Sequence, residues 1–409
     1  MKWETRRMAD VADFCLGKML DENKNKGAPL PYLANINVRW GEFDLENLRE
    51  MRFEPHEQER YGLKFGDIVM CEGGEPGRCA IWRDAIPGMM IQKALHRIRP
   101  HDFIDHSFLY YSFLQMGRAG GFGGLLTGST IKHLPREKLA KLEISFPPLS
   151  TQQRIASQLA PYDDLIENNR RRIQLLEESA RLLYREWFVH LRFPGHEHNR
   201  IVDGLPEGWE KRSLESVCSS GDGVQTGPFG SQLHQADYSD EGVPVIMPKD
   251  IVDCRISVTS IARIPEALAD SLGRHRMAPG DIVYGRRGDI GRRAYIGKRH
   301  AGWFCGTGCL RFRPNLLAIN PLYLFDTLGV PDTLGTITNR AKGSTMPNLS
   351  AGALKSVPLL VASRRLQDIY VERVEVMREA LNVLDEQNQK LAQARDLLLP
   401  RLMSGAIHV

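Results

Sequence analysis

Gly66-Asp67-Ile68-Val69 returns 214 residues later as Gly280-Asp281-Ile282-Val283, and its surroundings return with it. Gly74, Gly77-Arg78 and Ala80 recur at the same offset as Gly288, Gly291-Arg292 and Ala294, and Arg97-x-Arg99-Pro100 recurs as Arg311-x-Arg313-Pro314. After one inserted residue the offset becomes 215: Gly128-Ser129-Thr130 matches Gly343-Ser344-Thr345, Leu134 matches Leu349, and Gln152 matches Gln367. A register held over so many positions is an internal duplication. The period is far too long for a solenoid, so each copy must be a domain with its own core. The molecule is expected to be pseudo-symmetric, with two similar surfaces for two similar targets.

In each copy, mixed strand and turn signals give way to a helical period, near Pro147-Pro148 and again near Pro358. The expected fold is therefore mixed α/β, each domain followed by a long helix. Ile155, Leu159, Tyr162, Ile166, Asn169, Ile173, Leu176, Ala180, Leu183 and Trp187 follow alternating steps of four and three, the spacing of a coiled-coil seam. Tyr370, Val374, Met377, Leu381, Leu384, Asn388, Leu391, Arg395, Leu398 and Leu402 keep the same steps, each 215 residues after its counterpart. The two seams are expected to pack on each other, with Gln152 and most of these positions forming the helix and subunit interface. Asn169, Asn388 and Arg395 would either fix register or mark an edge facing solvent or another subunit. Pro161 lacks a donor and is expected to break or bend the first helix, leaving a long segment from about Tyr162. That segment, to Trp187, would rise roughly 39 Å at about 1.5 Å per residue, long enough to act as a ruler between two domains.

The loop Phe193-Pro194-Gly195-His196-Glu197-His198 closes the first helix and leads to Leu205-Pro206-Glu207-Gly208-Trp209, where the second domain starts. The expected domains are 1–149 and 194–362, with helices over 150–193 and 363–409. In a linker with no second cluster nearby, His196 and His198 read as a solvated loop before a metal site.

A chain of 409 residues, 42% hydrophobic and 25% charged, suits two domains plus connecting helices. No run approaches the roughly 20 apolar residues that span a bilayer, and Met1 to Arg7 lacks a signal peptide's apolar stretch, so no membrane association and a cytoplasmic location are expected. Seven scattered cysteines without a C-x-x-C pair read as reduced structural thiols. The net charge of +4 permits nucleic-acid binding without requiring it.

Catalytic patterns are missing. Phe146-Pro147-Pro148-Leu149 and Asn320-Pro321-Leu322-Tyr323 each fall one residue short of the D/N-P-P-aromatic loop of an adenine methyltransferase. There is no phosphate-binding loop, no nuclease-type acid pair with a nearby lysine and no serine-nucleophile elbow. Gly285-x-x-Gly288-x-x-Gly291 and the glycines from Gly117 to Gly128 read as turns, since neither sits in the strand-turn-helix setting of a dinucleotide site. The chain is expected to be non-catalytic and to bind no metal or cofactor.

The strongest local signal is basic. Residues 284–299 carry Arg286, Arg287, Arg292, Arg293, Lys298 and Arg299 against Asp289, a net +5, whereas the aligned residues 70–85 carry Arg78 and Arg83 against Glu72, Glu75 and Asp84, a net −1. Arginine's planar fork suits guanine edges and phosphates, and ordinary solvated arginines are the alternative. Candidate DNA contacts in the first copy are Arg78, Lys93, Ser129, Thr130 and Lys132. In the second they are Gln225, Thr226, Ser231, Gln232, Lys249, Arg286, Arg287, Arg292, Arg293, Lys342, Ser344 and Thr345. Turn chemistry is the competing account of the polar, glycine-flanked members.

In this order, several motifs resemble the specificity subunit of type I restriction-modification systems, over essentially the whole chain. They are Pro147-Pro148-Leu149-Ser150-x-Gln152-Gln153-Arg154-Ile155-Ala156, the run from Asp163 through Asn168-Asn169-Arg170-Arg171 to Trp187-Phe188-Val189, Leu205-Pro206-Glu207-Gly208-Trp209, and Gly227-Pro228-Phe229-Gly230-Ser231. The first copy departs from the pattern: no Leu-Pro-x-Gly precedes Trp3-Glu4, and Gly227 to Ser231 have no clear equivalent. The resemblance implies two target-recognition domains, each reading half of a split site in double-stranded DNA, joined by two antiparallel helices. It implies two modification subunits that supply S-adenosylmethionine and methylate adenine N6, and restriction subunits that use ATP and magnesium. A tandem DNA-binding regulator and a self-sufficient modification enzyme remain as alternatives.

Overall fold

A computed structural model of the chain describes residues 3–21, 25–129, 131–230, 232–258, 260–288, 290–341 and 348–407. The chain forms two compact units, Met1–Ile173 with Asn382–Val409, and Gln174–Leu381. Each unit thus takes a segment of each long helix.

The duplication is carried strand for strand. In the first unit a four-stranded antiparallel sheet runs in the order Ala12–Leu16, Leu95–Pro100, Ile68–Cys71, Cys79–Ile81. In the second, the order is Val224–Thr226, Cys309–Phe312, Ile282–Gly285, Arg293–Tyr295. Registers agree residue by residue: Ile98 faces Ile68, which faces Ile81, as Phe312 faces Ile282, which faces Tyr295. Ile68–Cys71 and Ile282–Gly285 are buried throughout, which is why these strands read as unbroken apolar runs and not as alternation. A smaller sheet repeats as well, Arg49–Phe53, Ala28–Leu33, Met90–Ile91 in one unit and Ala262–Ile264, Val243–Ile246, Phe304–Cys305 in the other.

The repeated polar residues explain themselves as frame. Arg99 clasps the buried Asp67 through two bonds of 2.7 Å, and Arg313 clasps the buried Asp281 at 2.9 and 2.8 Å. Arg97 donates to the carbonyl of Arg60 at 2.7 Å and Arg311 to that of Arg274 at 3.1 Å, again 214 residues apart. Gln152 accepts from Asp105 N at 2.9 Å and donates to Pro147 O at 2.9 Å; Gln367 accepts from Asn320 N and donates to Ala362 O, both at 2.8 Å. One buried glutamine per unit therefore ties the helix entry to the loop beside it, satisfying backbone groups that burial would otherwise leave unpaired. Asn320, in one of the near-miss methyltransferase motifs, accepts from Leu322 N at 3.1 Å and caps the helix Pro321–Thr327.

The long helices span Leu149–Tyr184, followed by a π turn at Arg185–Val189, and Arg364–Met403. Pro161 does not break the first of them, contrary to the sequence expectation. Its ring costs one backbone bond, and the residue whose carbonyl is freed, Ser157, lies on the exposed face as Pro161 does, where water can replace the partner. Every seam position is buried or half-buried. In the first unit Asn169 meets Asn388 (3.0 Å) and Asp163 meets Arg395, so rising numbers on one helix face falling numbers on the other: the pairing is antiparallel. Ile155 and Leu159 join Leu399, Leu402 and Met403 in that unit's core. In the second unit the seam is aromatic, with Tyr370 between Tyr184, Trp187 and Phe188 at ring separations of 5.7, 6.0 and 5.0 Å.

Candidate nucleic-acid interface

The basic stretch is placed by a turn that the two units share. The strands Ile282–Gly285 and Arg293–Tyr295 leave residues 286–292 between them, and Gly288 and Gly291 take φ values of 74° and 113°. In the first unit Gly74 and Gly77 take 81° and 93° in the turn after Ile68–Cys71. Side chains disfavour this left-handed region, which accounts for the repeated glycines.

The four arginines of the second unit separate. Arg287 and Arg292 are exposed, and Arg292 also reaches the carbonyl of Ile251 at 3.4 Å. Arg293 is taken up by the frame: its Nε donates to Phe325 O at 3.0 Å and its guanidinium lies 4.9 Å from the Phe325 ring centroid. Arg286 is only 4% exposed; Nη1 donates to Asn348 Oδ1 at 3.1 Å, while Nε and Nη2 have no partner among the described residues. Burial first, and the neighbouring Arg287 second, lower its pKa. A buried cationic group with idle donors is costly unless something supplies acceptors.

The matching turn in the first unit is occupied with itself. Arg78 donates to Glu75 at 2.7 Å and to Asn35 O at 3.0 Å, Trp40 Nε1 donates to Glu75 at 3.1 Å, and His133 Nδ1 lies 3.2 Å from Glu72. Lys93, Ser129 and Lys132 are exposed. In the second unit Gln225 and Thr226 are half-buried at the sheet end. Gln232 accepts from Phe229 N (3.4 Å) and Arg274 (3.3 Å), and Lys249 is held by Ser260 O and Asp250, both at 3.0 Å. Thr130, Ser231, Lys342, Ser344 and Thr345 lie outside the described residues. Sequence reading missed Asn348, whose role is set by a partner 62 positions away and carries no local signal.

Of the seam candidates, Ile155, Ile166, Asn169, Ile173 and Trp187 are buried on the first helix, and Tyr162, Leu176 and Leu183 half-buried. On the second, Tyr370 and Leu384 are buried and Met377, Asn388, Leu391 and Leu398 half-buried.

The first unit does have an equivalent of Gly227, which the sequence did not reveal. Gly17 N donates to Leu95 O and Gly227 N to Cys309 O, both at 3.0 Å. A Cβ on Gly17 would fall 2.5 Å from Gln92 O, and one on Gly227 would fall 2.0 Å from Gly306 O, so no other residue fits either place. The offset here is 210, not 214, because the loops on either side differ in length, and that shift hid the match.

Two repeated α/β units, each with a diverged turn beside a shared glycine-packed loop and each tied to a segment of two antiparallel helices, define a duplicated recognition scaffold. The model of the type I restriction modification DNA specificity domain matches twice, at residues 1–178 and 206–391. The chain belongs to that family, and is a specificity subunit of a type I restriction-modification system with two target-recognition domains. It is 21% identical to the MjaIX specificity subunit of Methanocaldococcus jannaschii, over 100% of this chain and 94% of the relative, and 20% identical to the MjaVIII specificity subunit of that organism, over 100% and 93%. The crystal structure of an S subunit from M. genitalium superposes with a TM-score of 0.56 at 19% identity, covering 98% of this chain and 96% of that one. Among the described residues, no helix is long and apolar enough to cross a membrane.

Proposed function

We propose that each unit reads one half of a bipartite site in double-stranded DNA, while the long helices set the spacing and dock two modification subunits. The observation that carries this reading is the contrast between frame and turn: buried pairs such as Asp67 with Arg99 and Asp281 with Arg313 recur, while net charge at the equivalent turns goes from −1 to +5. Two readers of different half-sites need one frame and two contact surfaces. Arg287 and Arg292 are phosphate or guanine contacts, and acceptors on DNA satisfy the idle donors of Arg286.

Docking of partners is supported by apolar side chains left exposed on the helices beside the seam. Leu175, Leu182 and Val189 step by seven along the first, and Val376, Val383 and Leu397 keep one heptad phase along the second. The chain binds no cofactor of its own. S-adenosylmethionine belongs to the modification subunit, which flips and methylates adenine N6, and ATP and magnesium to a restriction subunit, in a cytoplasmic complex.

The test is reconstitution. The purified chain alone should transfer no methyl group from S-adenosylmethionine to DNA, and adding the modification subunit should produce methylated adenines on opposite strands of one split motif. Methyl transfer by the chain alone, or methylation without a split motif, would sink this reading.

A further inference from the structure

The two units also agree at a place where their sequences do not. Two residues beyond the paired glycines, an apolar side chain stands in solvent in each: Met19, 51% exposed, after Gly17, and Phe229, 53% exposed, after Gly227. The same backbone carries both. Lys93 N donates to Lys18 O at 2.7 Å, and in the second unit Thr307 Oγ1 takes over that donation, to Pro228 O at 3.1 Å. The rest of each loop is anchored, by the buried Lys18 paired with Glu57 in one unit and by the buried Leu233 in the other. One exposed apolar residue is ordinary on any surface. A different one at the same site of each copy, on a loop otherwise held down, is a retained feature with a varied side chain.

Its surroundings in the second unit favour a polyanion. The Arg286 guanidinium lies 5.8 Å from the Phe229 ring centroid, Arg287 is exposed next in the chain, and nothing lies within 4 Å of where a Cβ on Gly230 or Gly288 would stand. A DNA duplex presents phosphates around apolar thymine methyl groups on the major-groove edge, which matches an apolar tip beside cationic groups on an open backbone.

We propose that Phe229 and Met19 are specificity contacts, each seated against a thymine methyl group in the half-site that its own domain reads. This rests on the DNA-reading function proposed above. With Arg286 alongside and the ring half-covered, Phe229 reaches a groove edge and does not part base pairs. A half-site with an adenine to be methylated always holds a thymine opposite it. Different side chains at the same place, a flat ring and a flexible thioether, give the two domains different readings of that edge.

The experiment uses the full chain assembled with its modification subunits and a duplex carrying the split motif found by methylation-aware sequencing. Each thymine is replaced in turn by uracil, which removes only the methyl group. The wild-type complex should lose about three- to fivefold in affinity at one or more thymines of each half-site, the worth of one buried methyl group. Phe229→Ala should lose that sensitivity in one half-site only, and Met19→Ala in the other only. Phe229→Leu, which keeps an apolar tip, should retain it. The salt dependence of binding should stay unchanged in all three variants, because an apolar contact releases no counterions. The proposal is overturned if wild type binds its motif and no uracil weakens it, if Phe229→Ala keeps full sensitivity, or if its salt slope falls by about one as for a lost phosphate contact. The wild-type scan stands whether or not a variant folds. Absence of preference for any split motif would instead overturn the DNA-reading function, a separate result.

Discussion

Residues 72–78 and 286–292 form the same turn in the two units and use their charge in opposite ways. In the first, Glu72, Glu75 and Arg78 are paired with one another or with neighbours in the fold. In the second, Arg287 and Arg292 are exposed and Arg286 sits buried with idle donors. The backbone, its left-handed glycines and the clasped aspartate behind it are common to both. Buried pairs are held in place because losing one partner strands a charge in the interior, whereas an exposed turn can change sign at small cost. The frame is therefore fixed by energetics, and the contact surface is free to diverge.

The largest expected effect breaks the frame itself. Asp67→Ala strands Arg99 and should cost about 3 kcal/mol, the usual scale for half of a buried pair. Asp281→Ala should cost less, about 2 kcal/mol, because Arg313 keeps a second carboxylate, Asp222, at 2.9 Å. Urea denaturation of the two variants reports both, and a larger loss for Asp281→Ala would show that the units do not share this device.

Acid should separate the units next. His275 and His300 lie in the second, where burial, and then Arg274 and Arg299 respectively, push each pKa down to about 4. The unfolded chain, with histidine near 6.5, binds more protons than the folded one between these values. Stability is therefore full above about pH 6.5 and declines as pH falls toward 4. The melting temperature of the second unit should drop on the order of 5 °C between pH 7.5 and 5, and His275→Gln with His300→Gln should flatten the profile. An equally steep profile in the double variant would remove these histidines as the cause.

The seam offers a smaller contrast, amides in the first unit against aromatic rings in the second. Replacing both Asn169 and Asn388 by leucine should raise stability by about 1 kcal/mol while loosening the register they impose. A melt that shows no gain would mean that the amide pair already contributes as much as leucine would.

The smallest effects belong to single surface cations. Arg287→Ala and Arg292→Ala should each lower the slope of log affinity against log salt by about one. Arg293→Ala, in contact with Phe325, and Arg78→Ala, paired with Glu75, should leave the slope unchanged and act on stability instead. A slope change from Arg293→Ala would reassign that residue to the contact surface.

The duplication, the two helices and their seams were legible in the sequence, because offset and heptad spacing are properties of the chain that need no third dimension. Gln152 with Gln367, and the two Arg-x-Arg-Pro segments, stood out as repeats, though only the fold showed that they hold loops and sheets together. Local rules failed where a distant residue decides the outcome. Pro161 is tolerated because it falls on the solvent side of its helix. Four adjacent arginines divide into exposed, buried and structural because Asn348 and Phe325, far along the chain, meet two of them. Gly17 escaped detection because unequal loops shift its offset while its backbone contact stays the same. Periodicity and repetition are written along the chain; burial and partnership are settled by which distant segments come together, and only the tertiary structure decided those.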